Sequence, residues 1–139
     1  MKNLISVFVI VIVAVAFVNC QNKKIGDSFS SNALQSVYFD YDKAHIRDDA
    51  AVSMQSNAAY LKNNQSVSVT VEGNCDNRGT NEYNLALGQR RAEAARDYLT
   101  NLGVASSRMN TVSYGEEKPV CGEGNESCWQ RNRRADFRR

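Results

Sequence analysis

Apolar positions change their period several times along the chain, and each change marks a new element. Val37, Tyr38 and Phe39 form a short β-prone run that ends at the polar cluster Asp40-Tyr41-Asp42. Between Asp48 and Lys62, apolar residues recur at Ala51, Met54, Ala58 and Leu61, three and four apart, which is the spacing of one helix face. Asn63 and Asn64 end that helix. Val67, Val69 and Val71 then alternate with Ser68, Thr70 and Glu72, and period two predicts a half-buried strand. Gly73 and Gly79 bracket a loop, after which a long helix is predicted from Thr80 to Leu102, stopped by Gly103. Met109 to Tyr114 reads as a third strand and Arg134 to Phe137 as a short last one, with a loop through Pro119 and a cysteine pair between them. The order β-α-β-α-β-β predicts an α+β fold: a two-layer sandwich, with a mixed sheet carrying its helices on one face.

The first residues follow a different rule. Leu4 to Val18 is apolar except for Ser6, behind a positive Lys2, and Cys20 follows at once. This run is short for a bilayer span but suits the apolar region of a secretory signal. An apolar stretch ending in cysteine resembles a bacterial lipoprotein signal, in which that cysteine becomes the lipidated first residue. Residues 1–19 are therefore expected to be a signal peptide. Residues 20–33, rich in Ser and Asn, are expected to be the lipidated N-terminus and a flexible tether, and residues 34–139 the single domain.

Charge narrows the function classes. The 17 Lys and Arg against 15 Asp and Glu leave a net charge of +2, too small a field to argue for nucleic acid. Arg131, Arg133, Arg134, Arg138 and Arg139 cluster near the C-terminus and read as a solvated or sheet-edge group. His45 is the sole histidine and has no orienting motif, so a Cys75–His45 hydrolase lacks the supporting parts such chemistry needs, and no enzyme is expected. Cys75, Cys121, Cys128 and His45 would make a zinc set, but the spacing of Cys121 and Cys128 is wider than a zinc knuckle uses. In an oxidising compartment the glycine-rich loop Gly122 to Ser127 instead allows a Cys121–Cys128 disulfide, leaving Cys75 as a small buried residue. No metal or other cofactor is expected.

Arg91 is the residue that does not fit its helix. With Arg91 at zero on the predicted long helix, Leu87 falls at about −40°, Ala95 at about +40°, Tyr98 at about −20° and Leu102 at about +20°. Arg91 thus sits at the centre of the apolar stripe, where a guanidinium is costly unless something meets it. Asp76, in the loop just before the helix, is the nearest obvious partner. Either the two form a structural pair, or they are the halves of a clamp, Asp76 accepting from a ligand ammonium and Arg91 gripping a ligand carboxylate.

The stretch Val71-Glu72-Gly73-Asn74-Cys75-Asp76-Asn77-Arg78-Gly79-Thr80, then Glu82-Tyr83-Asn84-Leu85-Ala86-Leu87-Gly88-Gln89-Arg90-Arg91-Ala92, strongly resembles the peptidoglycan-associated lipoproteins. These are a branch of the family built on the outer-membrane protein A C-terminal domain. Val37 to Asp42, Val112 to Pro119 and Asn132-Arg133-Arg134 extend the resemblance from Leu34 to the end. Asn74 departs from a position where the family often has His, and Asn77 from one where it often has an acid. The resemblance implies non-covalent binding of the uncrosslinked peptidoglycan stem peptide at diaminopimelate, whose side-chain end carries an amine and a carboxylate. It favours the clamp reading of Asp76 and Arg91, places Asp42, Arg78, Thr80 and Leu87 around the pocket, and gives Asn132 a loop-holding role. Thr80 also reads as a plain helix N-cap. The family further implies a lipid anchor in the outer membrane, a domain facing the periplasm, and the periplasmic Tol-system protein TolB as partner during cell constriction. A non-binding structural lipoprotein, or a wall anchor for another envelope machine, is the alternative.

Overall fold

Four strands and three helices build the domain in the computed structural model, which describes residues 33–139. The expected signal peptide, Cys20 and the tether through Asn32 lie outside the described residues. Strand β1 (Val37–Tyr38) precedes helix α1 (Ala50–Asn63), strand β2 (Val69–Asn74), helix α2 (Asn81–Asn101) and strand β3 (Met109–Gly115). A short helix α3 (Glu126–Asn132) and strand β4 (Arg134–Arg138) complete it. The sheet order is β1-β4-β2-β3, with β4 antiparallel to both its neighbours and β2 parallel to β3, so the sheet is mixed as the pattern predicts. The parallel pair needs a crossover, and α2 supplies it.

One face of the sheet meets α1 and α2. Val69 and Val71 of β2, Ala135 and Phe137 of β4, and Val37 and Phe39 pack with Met54, Ala58 and Leu61 of α1 and Ala92, Ala95 and Leu99 of α2. Burying each of the larger side chains contributes about 1.5–3 kcal/mol. The inward stripe of α1 begins at Ala50 rather than Ala51, which is only half-buried. Arg108 closes the far end of α1 by donating to the carbonyls of Leu61, Asn64 and Val67, a cation at a helix C-terminus.

The position of α2 is set by contact between two glycines. A Cβ on Gly73 would lie 1.8 Å from the carbonyl oxygen of Gly88, so helix and strand backbones touch there. The strand runs on through Gly73 and Asn74, where the valine alternation predicts a loop, and its register with β3 shifts at that point. Gly103, at φ +94°, ends α2 as expected. Helix α3 was not foreseen. It has little apolar period, with Cys128 its one buried apolar residue, and it is capped by the Asn125 side chain accepting from the Cys128 N–H.

The sheet's other face carries charge. Since Val71 and Phe137 point into the core, their neighbours Glu72 and Asp136, partners across β2 and β4, point away from it. Asp136 accepts from Arg134 Nε at 2.9 Å and from Ser36 Oγ at 2.5 Å, while Lys118 and Arg138 approach Glu72. The C-terminal arginines are therefore not one solvated group. Arg131, Arg138 and Arg139 are exposed, but Arg133 and Arg134 are buried because acidic partners await them.

Candidate ligand-binding site

The site forms where β1, β2 and the start of α2 converge. Past Asn74 the chain is still tied to the end of β3, Cys75 N–H donating to the Gly115 carbonyl, and the buried Asp76 follows. Gly79 takes φ +102°, and Thr80 then caps α2 by accepting from the Tyr83 N–H at 3.2 Å. Asn84, buried one turn later, donates its amide to the carbonyls of Asp76 and Arg78 and to Glu116, holding this segment against the helix. Asp42 has φ +54°, a conformation that a non-glycine residue adopts at a cost, and accepts from the Tyr83 hydroxyl.

These elements enclose an open cavity of about 230 Å³. Asp42, Asp76, Arg78, Leu87 and Arg91 all line it, together with Tyr41 and Tyr83. Thr80, the sixth residue singled out in the sequence, sits beside the lining as the helix N-cap.

Arg91 is fully buried, but no carboxylate among the described residues pairs with it. Its Nε donates to the Lys43 carbonyl at 2.9 Å, Nη1 to Asn74 O at 2.9 Å and Nη2 to Asp40 O at 3.1 Å. Three of five donors are thus met by neutral dipoles, and the carboxylates of Asp76 and Asp42 act on the charge only through space. Burial lowers its pKa, although an arginine remains charged.

Asp76 and Arg91 do not form the structural pair that their spacing allows. Asp76, also buried, takes Arg78 and Arg133 instead. Oδ1 accepts from the Arg78 backbone N–H at 3.1 Å and Nε at 3.3 Å, and Oδ2 from Arg78 Nη2 at 2.8 Å and Arg133 Nη1 at 3.1 Å. Burial pushes the Asp76 pKa up, but the Arg78 contacts and Arg133 outweigh it and hold the carboxyl below its ordinary value.

Helix α3 does not line the cavity but braces Arg78 and Asn77 from outside. The Arg78 guanidinium lies between the rings of Tyr41 and Trp129, 4.0 Å from each centroid. Trp129 Nε1–H donates to Asn77 Oδ1 at 3.0 Å, and Glu126 pairs with Arg133 and approaches Arg78 Nη2 at 3.7 Å. A disulfide joins Cys121 to Cys128, and Asn132 holds the same loop by accepting from the N–H groups of Val120 and Cys121 and donating to Cys121 O. Cys75 is buried beside the cavity, donates to Asn84 O, and has its thiol pushed up to about 11 by burial, so it is not an activated nucleophile. His45 opens onto a different hollow, beside Arg47 and Asp48.

A family model described as the OmpA family matches residues 38–133. The chain belongs to the OmpA family. Within this family it is 50% identical over 107 residues to a peptidoglycan-associated lipoprotein of Agrobacterium fabrum, covering 77% of this chain and 60% of that protein. The relative of the same name from Haemophilus influenzae is 48% identical, over 72% of this chain and 65% of its own length. The chain thus spans less than two thirds of the length of these relatives. The crystal structure of the peptidoglycan-associated lipoprotein from Burkholderia pseudomallei superposes with a TM-score of 0.73 at 48% identity, covering 75% of this chain and 88% of that one.

Several residues in or behind this OmpA-family pocket were given no site role by the sequence reading. Asn84 had a usable signal, since it lies two turns before Arg91 on the same helix face. Tyr41 and Arg133 fall in stretches that carry the resemblance, while Trp129 and Glu126 had no signal, because they stand on the unpredicted helix α3.

Proposed function

We propose that the chain is an envelope lipoprotein that binds peptidoglycan non-covalently, its pocket receiving the side-chain end of diaminopimelate in an uncrosslinked stem peptide. The observation that carries this reading is Arg91: a buried guanidinium, held by three carbonyls and facing a cavity, is completed by a ligand carboxylate. Diaminopimelate places an ammonium on the same carbon as that carboxylate, and Asp76 is the buried acid of the same cavity. Asp42, Arg78, Thr80 and Leu87 surround the contact, Leu87 offering apolar surface to the methylene chain and Arg78 standing on Asp76. The relatives named peptidoglycan-associated lipoprotein support the wall as the target. On this reading Cys20 carries lipid in the outer membrane and the domain faces the periplasm. The Tol-system protein TolB, implied by the family resemblance, is its partner in cell constriction. The protein catalyses nothing.

The test is calorimetric titration of the full chain in mild detergent with a diaminopimelate-containing stem peptide, beside Asp76→Ala and Arg91→Ala. Saturable binding by the wild type, lost in both variants with circular dichroism unchanged, is the expected result. A folded wild type that evolves no heat would end this reading.

A further inference from the structure

The Asp76 carboxylate has its hydrogen-bonding capacity filled in the absence of any ligand. A carboxylate offers about four lone-pair positions, and four donors occupy them: the Arg78 N–H, Nε and Nη2, and Arg133 Nη1. A ligand ammonium must therefore displace one. The Arg78 N–H is fixed by the backbone, and the Arg133 side chain is only 2% exposed and also tied to the Phe39 carbonyl and Glu126. The Arg78 side chain is the exception. It is 29% exposed, and a second acid, Glu126, stands 3.7 Å from Nη2 with its own side chain 64% exposed. The guanidinium carbon is 4.0 Å from the ring centroids of both Tyr41 and Trp129, an aromatic slot that holds the cation beside both acids.

Resting on the peptidoglycan reading above, we propose that Arg78 is the specificity-determining residue of the site: an internal cation that occupies Asp76 and that a ligand ammonium must displace, with the aromatic slot and Glu126 receiving it. Displacement has a cost, and a ligand recovers it only if it makes a second charged contact. A diaminopimelate end does so by giving its carboxylate to Arg91. A lysine end has the ammonium alone and does not. Arg78 thereby turns a pocket that attracts any ammonium into one that selects for an ammonium and a carboxylate together, a form of selectivity built by penalising the wrong ligand.

The experiment titrates the full chain and its Arg78→Gln and Arg78→Lys variants with two stem pentapeptides, identical except for diaminopimelate or lysine at the third position, so that the lysine side chain is the only difference in charge. Thermal unfolding monitors each fold. In Arg78→Gln the lysine peptide is expected to bind about tenfold tighter, roughly the worth of one charge-assisted contact, and the preference for diaminopimelate narrows. Arg78→Lys, which keeps a cation without the fork or the flat stacking face, is expected to fall between the two. Weaker or unchanged binding of both peptides by Arg78→Gln, with wild-type binding intact, would overturn the internal-competitor role and leave the peptidoglycan reading standing. No binding of either peptide by any form would overturn both.

Discussion

Two buried charge clusters lie on opposite sides of β2, and they are built on different rules. On the outer sheet face, Glu72 and Asp136 meet Arg134, Arg138 and Lys118, so each buried charge has an opposite charge within reach. In the pocket, Asp76 has two arginines while Arg91 has only carbonyls. In the first, every buried charge is directly paired, although Arg134 Nη1 has no hydrogen-bond partner. In the second, Arg91 touches no carboxylate, Asp76 and Asp42 acting on it only through space, and it lines a cavity. Burial of charge does not by itself mark a binding site; the informative feature is whether each charge is directly paired.

The comparison is most severely tested at Asp136. Asp136→Ala leaves Arg134 buried opposite nothing but the Lys118 carbonyl, and loss of such a partner costs about 3–5 kcal/mol. Urea unfolding of the variant should show that loss, while the calorimetric affinity for stem peptide stays near wild type in whatever fraction is folded. Arg91→Leu should behave in the opposite way. It deprives three carbonyls of a donor but also removes a buried charge, so a loss of about 1–3 kcal/mol is expected. If Arg91→Leu were the more destabilising of the two, Arg91 would be a structural keystone and the contrast would fail.

The gentlest probe is acid. Because the folded Asp76 pKa is depressed, its contribution is fully present above the unfolded carboxylate value of about 4, and is lost as pH falls through the lower folded value. Urea midpoints of wild type and Asp76→Asn, measured from neutral pH downward, should therefore converge in acid. A gap that stayed constant would mean that Asp76 contributes through shape rather than charge.

Much of the frame was legible because it rests on periodicity. The 3.6 period, the cap at Thr80 and the stop at Gly103 locate α2, and the wheel that put Arg91 inward beside Leu87 and Ala95 holds, although the buried stripe is shifted toward Ala92 and Leu99, with Tyr98 and Leu102 only partly buried. The partners of Arg91 were not legible. A wheel says which way a side chain faces, but the carbonyls of Asp40 and Lys43 arrive from a loop whose path no period describes. Helix α3 was missed for a related reason: seven residues with one buried apolar position carry too little pattern. Arg133 and Arg134 were misjudged because charge in sequence suggests solvent; the fold alone brings Asp76 to Arg133, whereas Asp136 lies two residues from Arg134 on the same face of β4 and was available as its partner. The grouping of Asp42 with Asp76, Arg78, Leu87 and Arg91 came from family resemblance, not from spacing.

Strand β4 has a consequence for how the molecule comes into being. It follows the other three in the chain, yet it lies between β1 and β2, and among the described residues β1 has no other sheet neighbour. Until β4 arrives, β1 cannot be held beside β2, and Asp42 and Tyr41, which follow β1, have no fixed place opposite Asp76. A ribosome releasing the chain from its N-terminus therefore delivers β1, β2 and β3 before any pocket exists. The cavity is then assembled in one late step, when residues 134–138 are inserted between strands already made.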